Sequence, residues 1–253
     1  MNYLELFILS LVQGVAEWLP VSSEGLSMFI MLNALHKEPS QALSYAVFFH
    51  IGTMLAVLFR FRKEFIEMLN PNSKLLKIVA VSTIFTAFTA IPLLSLIKGF
   101  KSGELVTLLI GAMLILTGVL LRMPKEGYRN LEELKLKDMV MLGLAQGFAI
   151  LPGISRSGTT ISLLLLRRVR EEHALKVSFI ISVPAVAGAA FLEGLPEDIS
   201  LIPAVLTILT TFVVGYATMD LLLRFARKVK FSVFCISLGL LTIGFALLIM
   251  DVC

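Results

Sequence analysis

Charge is scarce in this chain. Of 253 residues only 16% are Asp, Glu, Lys or Arg, against about a quarter in a soluble domain. A water-soluble domain of any size is therefore excluded. Cysteine is scarcer still, with Cys235 in an apolar run and Cys253 at the end. Two such residues offer neither a disulfide framework nor a CxxC metal site. The first residues, MNYLELFILSLVQG, lack a basic stretch and a small-residue cleavage site, so they are expected to belong to the mature protein. A net charge of +4 does not indicate nucleic acid, because the basic residues sit in short loops between apolar runs.

Apolar residues are what the chain has in excess: 57% of the sequence and a mean hydropathy of +0.91. A spanning helix needs about 20 mainly apolar residues. Six segments qualify, at 43–60, 77–97, 104–122, 173–192, 200–223 and 231–250. Two regions do not fit. In 3–35 the arms 3–18 and 26–35 are short and divided by a polar break, and in 138–167 the arms 138–150 and 158–167 flank LPGISRSG. Short paired arms fit re-entrant hairpins, whose exposed backbone is tolerated only where protein or a wet cavity covers it.

The basic loops test that layout, since Lys and Arg concentrate on the cytoplasmic side. With hairpins that do not cross, eighteen basic residues fall inside, in loops 60–77, 122–137, 167–176 and 223–230. The outside keeps Lys37, Lys98 and Lys101, and Arg156 stands within the second hairpin. A crossing hairpin would scramble this bias. Both termini then lie outside, the first hairpin enters from outside and the second from inside. QGVAEWLPVSS (Gln13 to Ser23) also resembles QGFAILPGIS (Gln146 to Ser155) with one residue deleted. The expected fold is an all-α polytopic membrane protein with two inverted-topology repeats, 1–122 and 138–253, joined by a cytoplasmic loop 123–137. Each repeat is a re-entrant hairpin plus three spanning helices, an architecture used by transporters.

Polar side chains at membrane depth are costly and usually serve a cavity or a partner. Gln13 and Glu17, four apart, share a helix face. Glu17 is read as a base, a metal ligand, a proton carrier or a buried acid bonded to its neighbours. Ser22, Ser23 and Glu24 follow the break at Pro20; Ser23 is either the N-cap of the next helix or a nucleophile with Glu17 as its base. In PGISRSGTT, Gly153 allows close backbone approach, Ser155, Ser157 and Thr160 supply hydroxyls, and a helix begins just after. Helix N-termini bind anions, and the planar fork of Arg156 suits phosphate oxygens. His50, on a spanning helix, is a packing residue or a minor catalytic or metal candidate; His36 and His173 carry no constellation. The residues alone thus point to a phosphate site between two hairpins, for a lipid-borne phosphate or a transported anion.

These motifs resemble the undecaprenyl-diphosphatase family, also called the bacitracin-resistance protein family. Its (E/Q)xxxE pair and LPVSSTGH motif correspond to Gln13 to Glu17 and Leu19 to Leu26, and its PGxSRSxxT motif is complete from Pro152 to Thr160. FHIGTMLAV (Phe49 to Val57) and Glu171 to Ala189 are similar as well. The resemblance implies a plasma-membrane phosphatase that converts a polyprenyl diphosphate to the monophosphate, recycling a lipid carrier, with an outward-facing site and a divalent metal, Mg or Ca. It implies Glu17 as catalytic carboxylate and metal ligand, Gln13 assisting it, Ser23 as nucleophile and Arg156 as the diphosphate clamp. Ser155 and Thr160 would be supporting ligands. A homodimer is an allowed assembly, and a transporter or flippase of a phosphorylated lipid is the competing function. Two positions depart from the family: Leu26 stands where it usually has His, and Glu24 where it has Thr. Leu26 excludes a His nucleophile there, leaving Ser23 or a water activated by Glu17, with Glu24 as a substitute base or metal ligand.

Overall fold

The computed structural model describes residues 1–123, 127–226 and 229–252, without the side chains of residues 226, 251 and 252. Lys125, Arg227, Lys228 and Cys253, named above as loop cations and terminal thiol, lie outside the described residues. Among the described residues the chain is helical: α1 (Tyr3–Ala16), α2 (Ser23–Asn33), α3 (Pro39–Arg60), α4 (Arg62–Glu67), α5 (Lys74–Lys98), α6 (Gly103–Leu120), α7 (Leu136–Phe148), α8 (Arg156–Leu166), α9 (Glu171–Glu193), α10 (Leu201–Ala226) and α11 (Phe231–Val252).

Six of these, α3, α5, α6, α9, α10 and α11, are long and apolar enough to cross a bilayer, and they are the six segments expected. The protein is a multi-pass membrane protein. α3 starts four residues early because Pro39 occupies its first turn, where a missing N–H costs nothing. α4, inside the loop 60–77, was not foreseen; it is six residues long. The limbs α1, α2, α7 and α8 have 14, 11, 13 and 11 residues. At about 1.5 Å per residue each falls short of the roughly 30 Å hydrocarbon core.

Close helix pairing is built on small residues, as is usual in membranes. α1 lies along α10 and α7 along α5; α3 packs on α10 and α9 on α5; α6 packs on α11. A Cβ on Gly14 would stand 2.9 Å from Val214, one on Gly143 2.4 Å from the Ser82 carbonyl oxygen, and one on Gly52 2.6 Å from the Ile208 carbonyl oxygen. The Thr218 hydroxyl sits 3.2 Å from the Gly14 carbonyl across the first pair, and Thr86 sits 3.2 Å from Gly143 across the second.

The basic loops gather at one end. Lys176 pairs with Glu64 at 3.0 Å, Arg60 with Asp220 at 3.4 Å, and Lys74 donates to the Leu134 carbonyl at 2.7 Å. Asp138, at the start of α7, accepts from Arg129 at 2.9 Å and Arg167 at 2.6 Å. Burial would raise the Asp138 carboxyl, but these partners and the Lys135 N–H hold it at about 2. At the other end, the Met1 amine meets Asp198 at 3.4 Å and Lys98 pairs with Glu193 at 2.7 Å.

Candidate active site

The first break turns one residue earlier than expected. Ser22, not Ser23, is the N-cap of α2: its backbone is extended (φ −83°, ψ 102°) and its Oγ accepts from the Gly25 N–H at 3.0 Å. Ser155 caps α8 in the same way, accepting from Gly158 at 3.1 Å. The Gln-to-cap separation is nine residues in both limbs (13 to 22 and 146 to 155), so the comparison of the two segments needs no deletion. With Ser22 as cap, Ser23 opens the helix and its hydroxyl is free to face the carboxylate of Glu17.

The two tips touch. Ser22 Oγ also accepts from the Gly153 N–H at 3.1 Å, and a Cβ on Gly25 would lie 2.8 Å from that same nitrogen. Gly153 has φ +101°, which favours glycine, and it presses on α6, where a Cβ would meet the Ile110 carbonyl at 2.4 Å. α6 latches the tip through Thr117, whose hydroxyl donates to the Gly153 carbonyl at 3.1 Å and accepts from the Ser155 N–H at 3.0 Å.

Glu17, just past α1, is the hub. Its Oε2 accepts from Gln13 Nε2 at 2.9 Å and Ser23 Oγ at 2.7 Å, and lies 3.3 Å from His50 Nε2. Its Oε1 forms a short ion pair with the Arg156 guanidinium. The Glu17 side chain is 7% exposed and that of Arg156 16%, so removing one partner leaves a buried uncompensated charge, typically about 3–5 kcal/mol. Arg156 is oriented further by the Ser178 carbonyl at 3.2 Å and by Phe179, whose ring centroid lies 5.7 Å from the guanidinium carbon. The Trp18 ring meets Phe179 edge-on at 5.4 Å.

Ser22, Ser23, Glu24, His50, Ser155, Arg156 and Ser157 line one polar pocket with Glu17. Glu24 Oε1 is buried there without a hydrogen-bond partner. Thr160 is not in this lining. It is fully buried, donating to the Arg156 carbonyl at 2.8 Å and sharing a hydrogen bond with Ser178 Oγ at 2.7 Å. Leu26 is absent from the lining too, and packs with Ala16, Val21, Leu121, Phe231 and Cys235. Thr117, Ser178 and Phe179 were not picked out as site residues: each reaches the tips from another helix, and no local spacing marks such a contact. Glu24, His50 and Arg156 also border an apolar cavity of about 350 Å³, walled by Ala87, Ala90, Ala149, Ala185 and Gly188 and reaching Leu94 and Leu192. Among the described residues no three His, Cys, Asp or Glu side chains stand together as a metal site.

Six spanning helices around a buried polar pocket, where a carboxylate, a hydroxyl, an imidazole and a guanidinium meet beside an apolar cavity, define a multi-pass membrane protein with a candidate active site. The chain belongs to the family described as Bacitracin resistance protein BacA, whose profile matches residues 6–243. It is 51% identical over 248 residues to an undecaprenyl-diphosphatase of Methanothrix thermoacetophila, covering 96% of this chain and 97% of that protein. Relatives of the same name from Methanopyrus kandleri and Methanococcoides burtonii are 41% and 37% identical, covering 94% of this chain and 92% and 96% of theirs.

Proposed function

We propose that the protein is a polyprenyl-diphosphate phosphatase, releasing inorganic phosphate from an undecaprenyl-type diphosphate and leaving the lipid monophosphate. The observation that carries this reading is the meeting of Ser23, Glu17 and Arg156 from two separate breaks at one pocket. The relatives' names favour hydrolysis over transport. The diphosphate would sit against the N-termini of α2 and α8, where free N–H groups and the helix dipole favour anions, with Arg156 as the planar clamp. The prenyl tail would lie in the adjoining apolar cavity.

Ser23 Oγ attacks the terminal phosphorus. The bond from that phosphorus to the bridging oxygen breaks, and its electron pair leaves with the lipid monophosphate. The Ser23 proton passes to Glu17 Oε2, already its hydrogen-bond acceptor. Water then cleaves the phosphoserine ester and the proton returns to Ser23. Arg156 stabilises charge on the transferring group in a low-dielectric site. Gln13 holds Glu17, while Ser22, Gly153, Ser155 and Thr160 keep the two tips in register.

A divalent cation, Mg or Ca, is part of this proposal. The oxygens of Glu17 are engaged by Arg156, Ser23 and Gln13, whereas Glu24 keeps a buried oxygen without a partner. The donor set therefore fits a cation held by Glu24 and the substrate's own phosphates, as magnesium is often bound. When bound it would neutralise phosphate charge.

We also read the two halves as inverted repeats with re-entrant hairpins. Matched helix pairs (α1 on α10, α7 on α5), equivalent caps at Ser22 and Ser155, and short limbs support this. The gathered basic loops would be cytoplasmic. The site would then face outward, since the apolar cavity reaches Leu94 and Leu192, near the Lys98–Glu193 end. Purified protein in detergent, given a C55 diphosphate and Mg or Ca, should release phosphate, and Ser23→Ala should not. No release with any divalent cation, alongside lipid translocation in proteoliposomes, would overturn the reading.

A further inference from the structure

A second cavity, of about 340 Å³, lies at the end where the basic loops gather, between α3, α9 and α10. Its wall is apolar, built from Phe61, Leu175, Phe179, Met219 and Leu223. Phe61 and Phe179 stack there, with centroids 6.4 Å apart and planes 19° apart. The rim is charged, with Arg60, Lys176 and Arg224 set against Glu172 and Asp220. Both rim acids are already matched: Asp220 faces Arg60 at 3.4 Å, and Glu172 lies 3.6 Å from Arg170. Lys176 is held by Glu64 at 3.0 Å. Among the described residues, Arg224 is the rim cation left with no ion pair. The depth follows from the three helices. Arg60 ends α3, Arg224 lies in the last turn of α10, and Lys176 in the second turn of α9. These are ends of spanning helices, where lipid headgroups begin. The exposed rings of Phe59 and Tyr216, 5.3 Å apart, stand one residue from Arg60 and one turn from Asp220, as tyrosine does at that level.

An apolar well under an unmatched cation fits an amphiphile better than a free ion. Inorganic phosphate would satisfy Arg224 and leave the five apolar side chains uncovered. We propose that this cavity binds an anionic phospholipid of the surrounding membrane, at a site separate from the polar pocket. Its phosphate sits against Arg224, as lipid headgroups do in basic pockets between spanning helices. Arg60 turns to join it, because its partner Asp220 is 63% exposed and Arg60 itself 45%, and ion pairs so exposed hold weakly. The first carbons of the acyl chains lie on the wall formed by Phe61 and Phe179. The occupant thus touches the same ring that lies against the Arg156 guanidinium. This binding goes beyond the phosphatase reading and does not require it.

The test is thermal unfolding of the purified full chain in a neutral detergent, titrated with phosphatidylglycerol, phosphatidylcholine, inorganic phosphate or a polyprenyl monophosphate. Phosphatidylglycerol should raise the unfolding temperature saturably, and phosphatidylcholine and inorganic phosphate should not at the same concentrations. Arg224→Gln should raise the half-saturating concentration of phosphatidylglycerol by about fivefold or more, the worth of one basic residue beside an anionic lipid. Arg122→Gln, outside the cavity lining, should leave it unchanged, and so should Arg156→Lys in the polar pocket. Leu223→Trp, which fills the well and keeps the rim charges, should weaken binding as Arg224→Gln does. Any stabilisation by the polyprenyl monophosphate should survive Arg224→Gln. Equal shifts with the two phospholipids, equal effects of Arg224→Gln and Arg122→Gln, or loss of binding in Arg156→Lys but not in Arg224→Gln overturns the site. So does stabilisation by the polyprenyl monophosphate alone. Phosphate release is not the readout, so each of these results leaves the phosphatase reading to its own test.

Discussion

Adjacent serines at the first break should fail in opposite ways when truncated. Ser22 Oγ accepts from two N–H groups, Gly25 at 3.0 Å and Gly153 at 3.1 Å, in a pocket where Ser22 is 2% exposed. Ser22→Ala leaves both donors buried and unpaired. An orphaned donor costs about 1–3 kcal/mol, and loss of an N-cap alone about 1 kcal/mol. Because the cap bond is one of the two, the sum is about 2–4 kcal/mol, or roughly 30- to 1000-fold in the folding equilibrium at about 1.4 kcal/mol per tenfold. Ser23→Ala deletes a single donor, and Glu17 retains Gln13 and Arg156, so it should cost no more than the roughly 1.5–3 kcal/mol of one hydrogen bond to a charged group. Thermal unfolding in one detergent, paired with phosphate release, separates the two. Ser22→Ala should unfold at clearly lower temperature and keep measurable turnover per folded molecule. Ser23→Ala should unfold at a higher temperature than Ser22→Ala and release no phosphate. Equal destabilisation by both, or full activity in Ser23→Ala, would refute the division of labour drawn from the one-residue shift of the cap.

Asp138 gives a pH prediction. Its carboxyl is depressed from 3.8 to about 2, so its contribution to stability is present above about 4 and is lost as pH falls toward 2. Asp138→Asn should be less stable at neutral pH and should flatten the wild-type decline in unfolding temperature across that window. Gly52→Ala puts a Cβ 2.6 Å from the Ile208 carbonyl; overpacking of this kind costs about 1–3 kcal/mol and should lower the unfolding temperature while Gly188→Ala, with open space around it, should not. Chelation of divalent cations should stop phosphate release, and Glu24→Gln should raise the concentration of Mg or Ca needed for half-maximal rate; an unchanged requirement would remove Glu24 from the metal proposal.

The parts of the fold that the sequence discloses are those with a one-dimensional signal. Long apolar runs mark α3, α5, α6, α9, α10 and α11, because bilayer thickness imposes a minimum length. Pro20, Pro152 and the serines beside them mark the breaks, because backbone exposed there must be capped. The four-residue step from Gln13 to Glu17 correctly predicts their contact. The register of the cap was missed, because Ser22 and Ser23 are chemically alike and only the turn decides which one faces Glu17. That His50 lines the polar pocket was not legible for a different reason. It depends on α3 crossing the first break, and helical periodicity specifies a face without specifying what lies against it. Thr117, Ser178 and Phe179 escaped notice on the same ground. Leu26 looked like a missing catalyst, yet it sits in an apolar cluster while an imidazole from another helix occupies the pocket.

The central claim is that Arg156, brought to Glu17 and Ser23 from the other half of the chain, clamps a lipid diphosphate for hydrolysis. The direct measurement is the initial rate of phosphate release from a purified polyprenyl diphosphate by wild type and by Arg156→Lys at matched amounts of folded protein. Lysine keeps the charge opposite Glu17 but loses the planar fork. The expected rate is lower by about 10²-fold or more, in line with removal of a transition-state donor. Equal rates would contradict it.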